Sequence, residues 1–201
     1  MSAAPTPYRL AARRLLRDSL FQAAREELRK RPWAQITMGE IARAAGVSRQ
    51  TLYNELGSRE EFAQAFVIGE GERFIEAVEA AVRANVSDPH AALAAALELF
   101  LSTAREDPFV RILLNDDGTG GMLPFVTTRG EGLVEWASAR IAAVMLENWP
   151  RVAREDAELL ADALVRLSIS YVALTRESAQ RTADAVARLL GPYVDRVLAG
   201  G

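Results

Sequence analysis

The sequence predicts an all-α protein of about nine helices, and three observations carry that prediction. Apolar residues recur at helical spacing along most of the 201 residues, and no stretch alternates as a half-buried strand does. Residues that cap helices stand where several of these runs begin, twice with Glu three positions later. That pattern lets a hydroxyl and a carboxylate satisfy the free backbone N–H groups of a helix start. Proline and glycine mark most of the gaps between runs.

The first run spans residues 8–31, with Leu10, Leu15, Leu16, Leu20, Phe21, Ala24 and Leu28 on one broad stripe, and ends at Arg31-Pro32. Thr37 with Glu40 and Ser58 with Glu61 fit the capping box, and between them Ser48 follows Gly46-Val47 and can cap a third helix. The rest reads as helices at about 59–85, 88–106, 108–116, 122–148, 154–176 and 178–198. Asp88-Pro89 places proline at the first helical position. Asp117-Gly118-Thr119-Gly120-Gly121 is a loop, Asn148-Trp149-Pro150 ends the helix before it, and Gly191-Pro192 should break or bend the last one. Gly69 and Gly71 lie inside the long helix that starts at Ser58. Each costs about 1 kcal/mol relative to alanine, so the pair is expected to serve either as a hinge or as a point of close packing.

Composition narrows the function. The chain has no cysteine, which removes disulfides, thiolate metal sites and cysteine nucleophiles. No apolar run reaches the roughly 18 residues of a membrane span, and the N-terminus lacks the apolar core of a secretory signal, so a cytoplasmic protein with no membrane partner is expected. His90, the only histidine, opens a helix and reads as a surface residue, while Asp116-Asp117 reads as loop solvation. Without a phosphate-binding glycine loop or a nucleophile–base pair, no catalytic residue, metal or cofactor is expected, and the chain does not read as an enzyme. The net charge of −3 hides an asymmetry: residues 1–66 hold 11 Arg/Lys against 7 Asp/Glu, and the remainder 13 against 20. A basic head on an acidic body suits a nucleic-acid-binding module joined to a different domain.

Residues 37–56 form the unit that matters most. Ile41, Ala42 and Ala45 face inward from a first short helix, Gly46 supplies a tight turn, and Val47, Leu52 and Leu56 close the core from a second. Two helices joined by a short turn containing glycine are the helix-turn-helix signature. Arg49, Gln50 and Asn54 project from the start and outer face of the second helix, where base edges lie in a major groove. Arginine can bind guanine with two hydrogen bonds, glutamine or asparagine adenine, and Thr51 can reach a thymine methyl or a phosphate. Thr37 and Arg59, each at a helix start, are expected to hold phosphates, and Ser48 is a cap that shares this surface.

The stretch ITMGEIARAAGVSRQTLYNELGSREEF resembles the DNA-binding domain of the tetracycline-repressor (TetR) family over about residues 8–68. That resemblance implies an all-α fold with an N-terminal three-helix helix-turn-helix DNA-binding domain at 8–68 and a C-terminal ligand-binding and dimerisation domain at 69–201. It implies that Tyr53 reaches the phosphate backbone. It also implies a pocket for a small-molecule inducer within about 59–148, for which Phe74, Phe100, Phe109, Trp136 and Met145 are the candidate lining residues by size and helical placement. With few charges between them, the inducer is expected to be apolar. The last two helices, through Leu160, Ala163, Leu164, Leu167, Tyr171 and Leu174, then Ala179, Ala183, Val186, Leu190, Val194 and Val197, suit the homodimer interface that the family implies, and two-fold symmetry suits a palindromic operator in double-stranded DNA. The sequence departs from the family at 54–56, where an aromatic or histidine and then phenylalanine are common and Asn54, Glu55 and Leu56 stand instead. Glu55 is expected to turn from DNA and pair with Arg59, four residues on, or to accept from cytosine N4. The resulting expectation is a ligand-responsive dimeric repressor, with an all-α carrier or sensor of apolar ligands that works through protein contacts as the alternative.

Overall fold

Every capped start in the first third forms the helix it announces. In the computed structural model, which describes residues 7–107, 109–110, 121–174 and 177–198, the elements are α1 (Pro7–Leu28), α2 (Met38–Ala44), α3 (Arg49–Leu56), α4 (Arg59–Ala84), α5 (Pro89–Glu106), α6 (Glu131–Asn148), α7 (Arg154–Leu174) and α8 (Ala179–Leu198). Two single 3₁₀ turns, Trp33–Gln35 and Leu123–Phe125, stand between these helices, Phe109 and Val110 are also helical, and there is no strand among the described residues. Thr37 with Glu40 and Ser58 with Glu61 make full capping boxes, Ser48 accepts from the Thr51 amide, and Asp88 caps α5 with Pro89 in its first turn. Gly46, between α2 and α3, takes φ 72°, a left-handed conformation in which a side chain would be strained.

Two boundaries differ from the sequence expectation. The run 122–148 is not one helix: Pro124 sits in a 3₁₀ turn, further turns fill 126–129, and α6 starts only after Gly130. The last helix is unbroken through Gly191-Pro192. Pro192 lies on its exposed side, so the carbonyl that loses its N–H partner one turn earlier faces water. The expected helix at 108–116 and loop at 117–120 lie outside the described residues except for Phe109 and Val110.

The helix-turn-helix packs on one apolar cluster. Leu20, Ala24 and Leu28 of α1, Trp33, Ile36, Ile41 of α2, Leu52 and Leu56 of α3 and Phe62 and Phe66 of α4 are all buried in it. Phe109, Met122 and Phe125 belong to the same cluster, so the core of the N-terminal part extends into the segments that follow α5. Its rings form a contiguous stack. Phe109 meets Phe66 edge-on at 5.1 Å, Phe66 stacks on Phe62 at 6.3 Å, and Phe62 stacks on Trp33 at 6.0 Å. Beyond α4, α5 packs on α8 and α6 on α7, with α4 lying against both α5 and α6.

α4 runs without interruption through Gly69 and Gly71, and both glycines mark close approaches. A β-carbon at Gly69 would stand 2.8 Å from the Phe21 ring of α1, and one at Gly71 would stand 3.2 Å from the Trp136 ring of α6. Of the two roles open to this pair, the geometry supports close packing. No helix among the described residues is long and apolar enough to cross a membrane.

Candidate functional site

α3 presents a polar face with internal order. Arg49, Gln50 and Asn54 are exposed, and Thr51 and Tyr53 are half-buried. Gln50 Nε2 donates to Asn54 Oδ1 at 2.8 Å, which aligns the two amides before any ligand arrives. The Arg49 guanidinium lies 5.3 Å from the centre of the Tyr53 ring and donates to its hydroxyl at 3.3 Å. Ser48 Oγ and Thr51 Oγ1 are 2.8 Å apart, so both hydroxyls stand together at the start of the helix. Arg49, Gln50, Asn54 and Tyr53 therefore share one surface, flanked by the two capping hydroxyls.

Thr37 is exposed at the start of α2, and its hydroxyl donates to Glu40 at 2.7 Å while its amide donates at 2.8 Å. Those bonds from Thr37, with the Arg31 guanidinium at 2.9 Å, lower the Glu40 carboxyl to about 2. Arg59 stands differently from its expected role. Its guanidinium lies 4.2 Å from the centre of the Trp33 ring and donates to the carbonyls of Ile36 and Trp33. Its side-chain charge thus ties the segment before α2 to α4 and is drawn into the fold, and partial burial lowers its pKa.

Glu55 does not pair with Arg59. It accepts from Arg13 Nε at 2.9 Å and Arg17 Nε at 2.7 Å, both from α1. Partial burial pushes the Glu55 carboxyl up, but the bonds from Arg13 and Arg17 outweigh it and hold the group below the usual carboxylate value. The sequence carries one trace of this arrangement: two arginines four apart on an otherwise apolar stripe.

The second candidate site is a cavity of about 210 Å³ lined by α4, α5, α6 and α7, with contributions from α8 and the turn after residue 122. Phe74, Phe100, Phe109, Trp136 and Met145 all stand on its wall. Its few polar neighbours include Glu70 and Glu79. Glu70, 2% exposed, was not anticipated: it is ion-paired with Arg25 of α1 and, at 3.3 Å, with Arg73, which also holds Asp107 at 2.9 Å. Glu79 is held by Arg83 and Arg140. Both carboxylates already have cationic partners, so the wall offers a ligand mostly hydrocarbon.

The expectation for His90, a surface position, holds, and part of that for the interface helices does not. His90 has a partner, Asp195 Oδ1 at 2.7 Å from its Nε2. Leu160, Leu164, Ala183, Val186, Val194 and Val197, assigned from the sequence to an interface, are buried within this chain because α5 and α6 lie over them. Among the described residues, the large apolar side chains exposed on the last two helices are Leu159, Leu174 and Leu189. Among the described residues, no group of three or more His, Asp or Glu is arranged to hold a metal ion.

Comparison with known proteins agrees with this architecture. Residues 20–66 match the model of bacterial regulatory proteins of the tetR family, and residues 88–192, more than half of the chain, match that of the bacterial tetracycline repressor C-terminal domain. The HTH-type transcriptional regulator AlkX of Mycobacterium tuberculosis is 38% identical over 190 residues, covering 94% of this chain and 90% of that protein. The crystal structure of the TetR family repressor AlkX from a Dietzia strain, implicated in biodegradation of n-alkanes, superposes with a TM-score of 0.76 at 30% identity, over 89% of this chain and 97% of that one. The crystal structure of RolR in complex with resorcinol shares the fold, with a TM-score of 0.57 at 21% identity over 95% of each chain. With its helix-turn-helix, its all-helical body and these matches over most of its length, the chain belongs to the TetR family of transcriptional regulators.

Proposed function

We propose that the protein is a dimeric repressor that binds a palindromic operator and is released from it by a small apolar inducer. One observation carries the reading: the same chain joins an ordered, exposed Arg49–Gln50–Asn54 face on a capped helix-turn-helix to an apolar cavity between the helices of its body. In this reading Arg49 takes a guanine edge and Gln50 and Asn54 take adenine edges, since each side chain matches those donor and acceptor patterns. Thr37, Ser48, Thr51 and Tyr53 hold phosphate and fix the register. At Arg59 the backbone N–H at the start of α4, and not the guanidinium, is the group left for a phosphate. The protein works as the 8–68 DNA-binding part and the 69–201 ligand-binding and dimerisation part.

The cavity limits the inducer. An engineered apolar cavity of about 150 Å³ holds benzene, so 210 Å³ accommodates roughly eight or nine carbons on the same scale. A saturated hydrocarbon chain satisfies those walls without stranding a polar group. The n-alkane context of the Dietzia relative favours the same ligand class. For dimerisation the reading uses the stripe Leu159, Ala163, Leu167, Ser170 and Leu174, which shares one face of α7 and holds two of the exposed leucines.

The test is a fluorescence anisotropy titration with duplexes drawn from the region upstream of the protein's own gene, with n-octane added once a binding duplex is found. Binding that prefers one palindrome, weakens by about 1–3 kcal/mol for Arg49→Ala, and is reversed by octane supports the reading. Equal binding to every duplex refutes operator recognition, and octane that neither releases DNA nor raises the melting temperature refutes the apolar inducer.

A further inference from the structure

The first turns of α1 have no core beneath them. Tyr8, Leu10 and Leu15 are 82%, 53% and 70% exposed, Leu16 is only half-buried, and full burial begins at Leu20. A helical segment without packing partners is marginal in water. The described polar contacts that tie this one down converge on Glu55 of α3, reached by Arg13 and Arg17 from successive turns. The Glu55 side chain is 9% exposed, while the two arginine side chains are 57% and 46% exposed. Such open ion pairs contribute only about 0–1 kcal/mol to stability, so stability is a weak reason for them.

Each arginine donates to Glu55 through Nε. A guanidinium has five N–H donors, so four remain on each, and among the described residues the terminal nitrogens of Arg13 and Arg17 make no other hydrogen bond. The three side chains together carry a net positive charge. Glu55 stands next in sequence to Asn54, on the helix whose exposed face is the candidate base reader, and holds both arginines of α1 beside it. A duplex lying along that face brings phosphates to its flanks, and the guanidinium fork matches phosphate with two parallel hydrogen bonds.

We propose that Arg13 and Arg17 are contacts to the DNA backbone, and that Glu55 is the positioning residue that holds both beside α3. The inference rests on the operator-binding reading above. Glu55 neutralises its own repulsion toward phosphate and at the same time fixes where the two cations stand. The basic, coreless start of α1 thereby becomes part of the DNA-binding surface.

The experiment uses the full chain and the duplex selected as above, with a scrambled duplex beside it, over a range of salt concentrations. The triple substitution Arg13→Ala/Arg17→Ala/Glu55→Ala removes the whole cluster and strands no charge. The slope of log K against log salt changes by about 0.9 per phosphate contact, so it should become shallower by about 2 for each protomer bound. Arg13→Lys/Arg17→Lys, which keeps the charge, should restore most of that slope. Glu55→Gln should keep the steep slope but lower the ratio of selected to scrambled affinity about threefold to tenfold, because unpinned arginines still attract any duplex. A triple variant with the wild-type slope overturns the backbone contacts, and an unchanged ratio in Glu55→Gln overturns the positioning role. Wild-type protein that prefers no duplex overturns the operator-binding reading itself, an outcome distinct from either.

Discussion

Gly69→Ala and Gly71→Ala should move stability in opposite directions, although the two positions are two residues apart on one helix. Alanine in a helix interior is worth about 1 kcal/mol over glycine, which favours both changes equally. The difference lies in what the new methyl meets. At Gly69 it arrives 2.8 Å from Cε2 and 3.0 Å from Cδ2 of Phe21. That ring, half-buried itself, packs edge-on against Phe62 at 5.9 Å and Phe66 at 5.6 Å, both fully buried, which blocks its retreat toward the core. Overpacking of this kind costs about 1–3 kcal/mol, and a contact as short as 2.8 Å against a ring backed by two buried neighbours falls in the upper half of that range. Gly69→Ala should therefore lose about 1–2 kcal/mol net, which at about 2–4 °C per kcal/mol for a chain of this size lowers the melting temperature by roughly 2–8 °C. At Gly71 the methyl meets Trp136 at 3.2 Å and Leu133 at 3.5 Å, both half-buried on the cavity wall with open space beyond. Gly71→Ala should be neutral or gain up to about 1 kcal/mol. Thermal melts followed by circular dichroism, with urea midpoints as a second measure, separate the two. If Gly69→Ala melts at or above wild type, close packing against Phe21 is not why glycine stands there, and backbone flexibility returns as the explanation.

Three further outcomes follow from the same geometry. Arg59→Ala should lower stability by about 2 kcal/mol, since two carbonyls lose a charged donor, yet leave the salt slope of DNA binding unchanged; a shallower slope would place its guanidinium on phosphate instead. Phe109→Ala removes a buried ring from both the cavity wall and the aromatic stack and should cost about 3–5 kcal/mol, read from urea unfolding, and a loss below 1 kcal/mol would show that the stack contributes little. Glu40 is held near 2 in the folded protein, below its usual 4.5. Its stabilising effect is therefore complete above about pH 4.5 and disappears as the pH falls toward 2. The urea midpoints of wild type and Glu40→Gln should differ at pH 7 and converge across that window, and a constant gap would refute the assignment.

Much of this was legible in the sequence because it is local. Caps, turn glycines and helical spacing act within four residues, so Thr37, Ser48, Ser58 and Gly46 announced α2, α3 and α4 without any tertiary information. The partners of charged side chains were not legible in the same way. Glu55 was expected to reach Arg59 in its own neighbourhood, yet its partners lie 38 and 42 residues upstream, and only the approach of α1 to α3 brings them together. Periodicity also shows that a helix has an apolar face but not what covers it. Hence Leu160, Leu164 and Val186, assigned from the sequence to a partner, meet their own chain. Size and helical placement found five side chains of the cavity wall, whereas Glu70 was passed over because a carboxylate in such a wall needs Arg25, supplied by a helix 45 residues away.

The aromatic stack has a consequence for how this protein can be taken apart. Phe109, Met122 and Phe125 share the cluster that Phe62 and Phe66 build under the helix-turn-helix. A fragment cut after residue 68 would keep every polar group of the proposed DNA-reading surface and yet uncover the Phe66 ring that Phe109 covers. Such a fragment would be a poor stand-alone reagent, and a chimera carrying this head on a foreign body would need three matching apolar side chains to seal it. The unit that can be transplanted is larger than the unit that touches DNA.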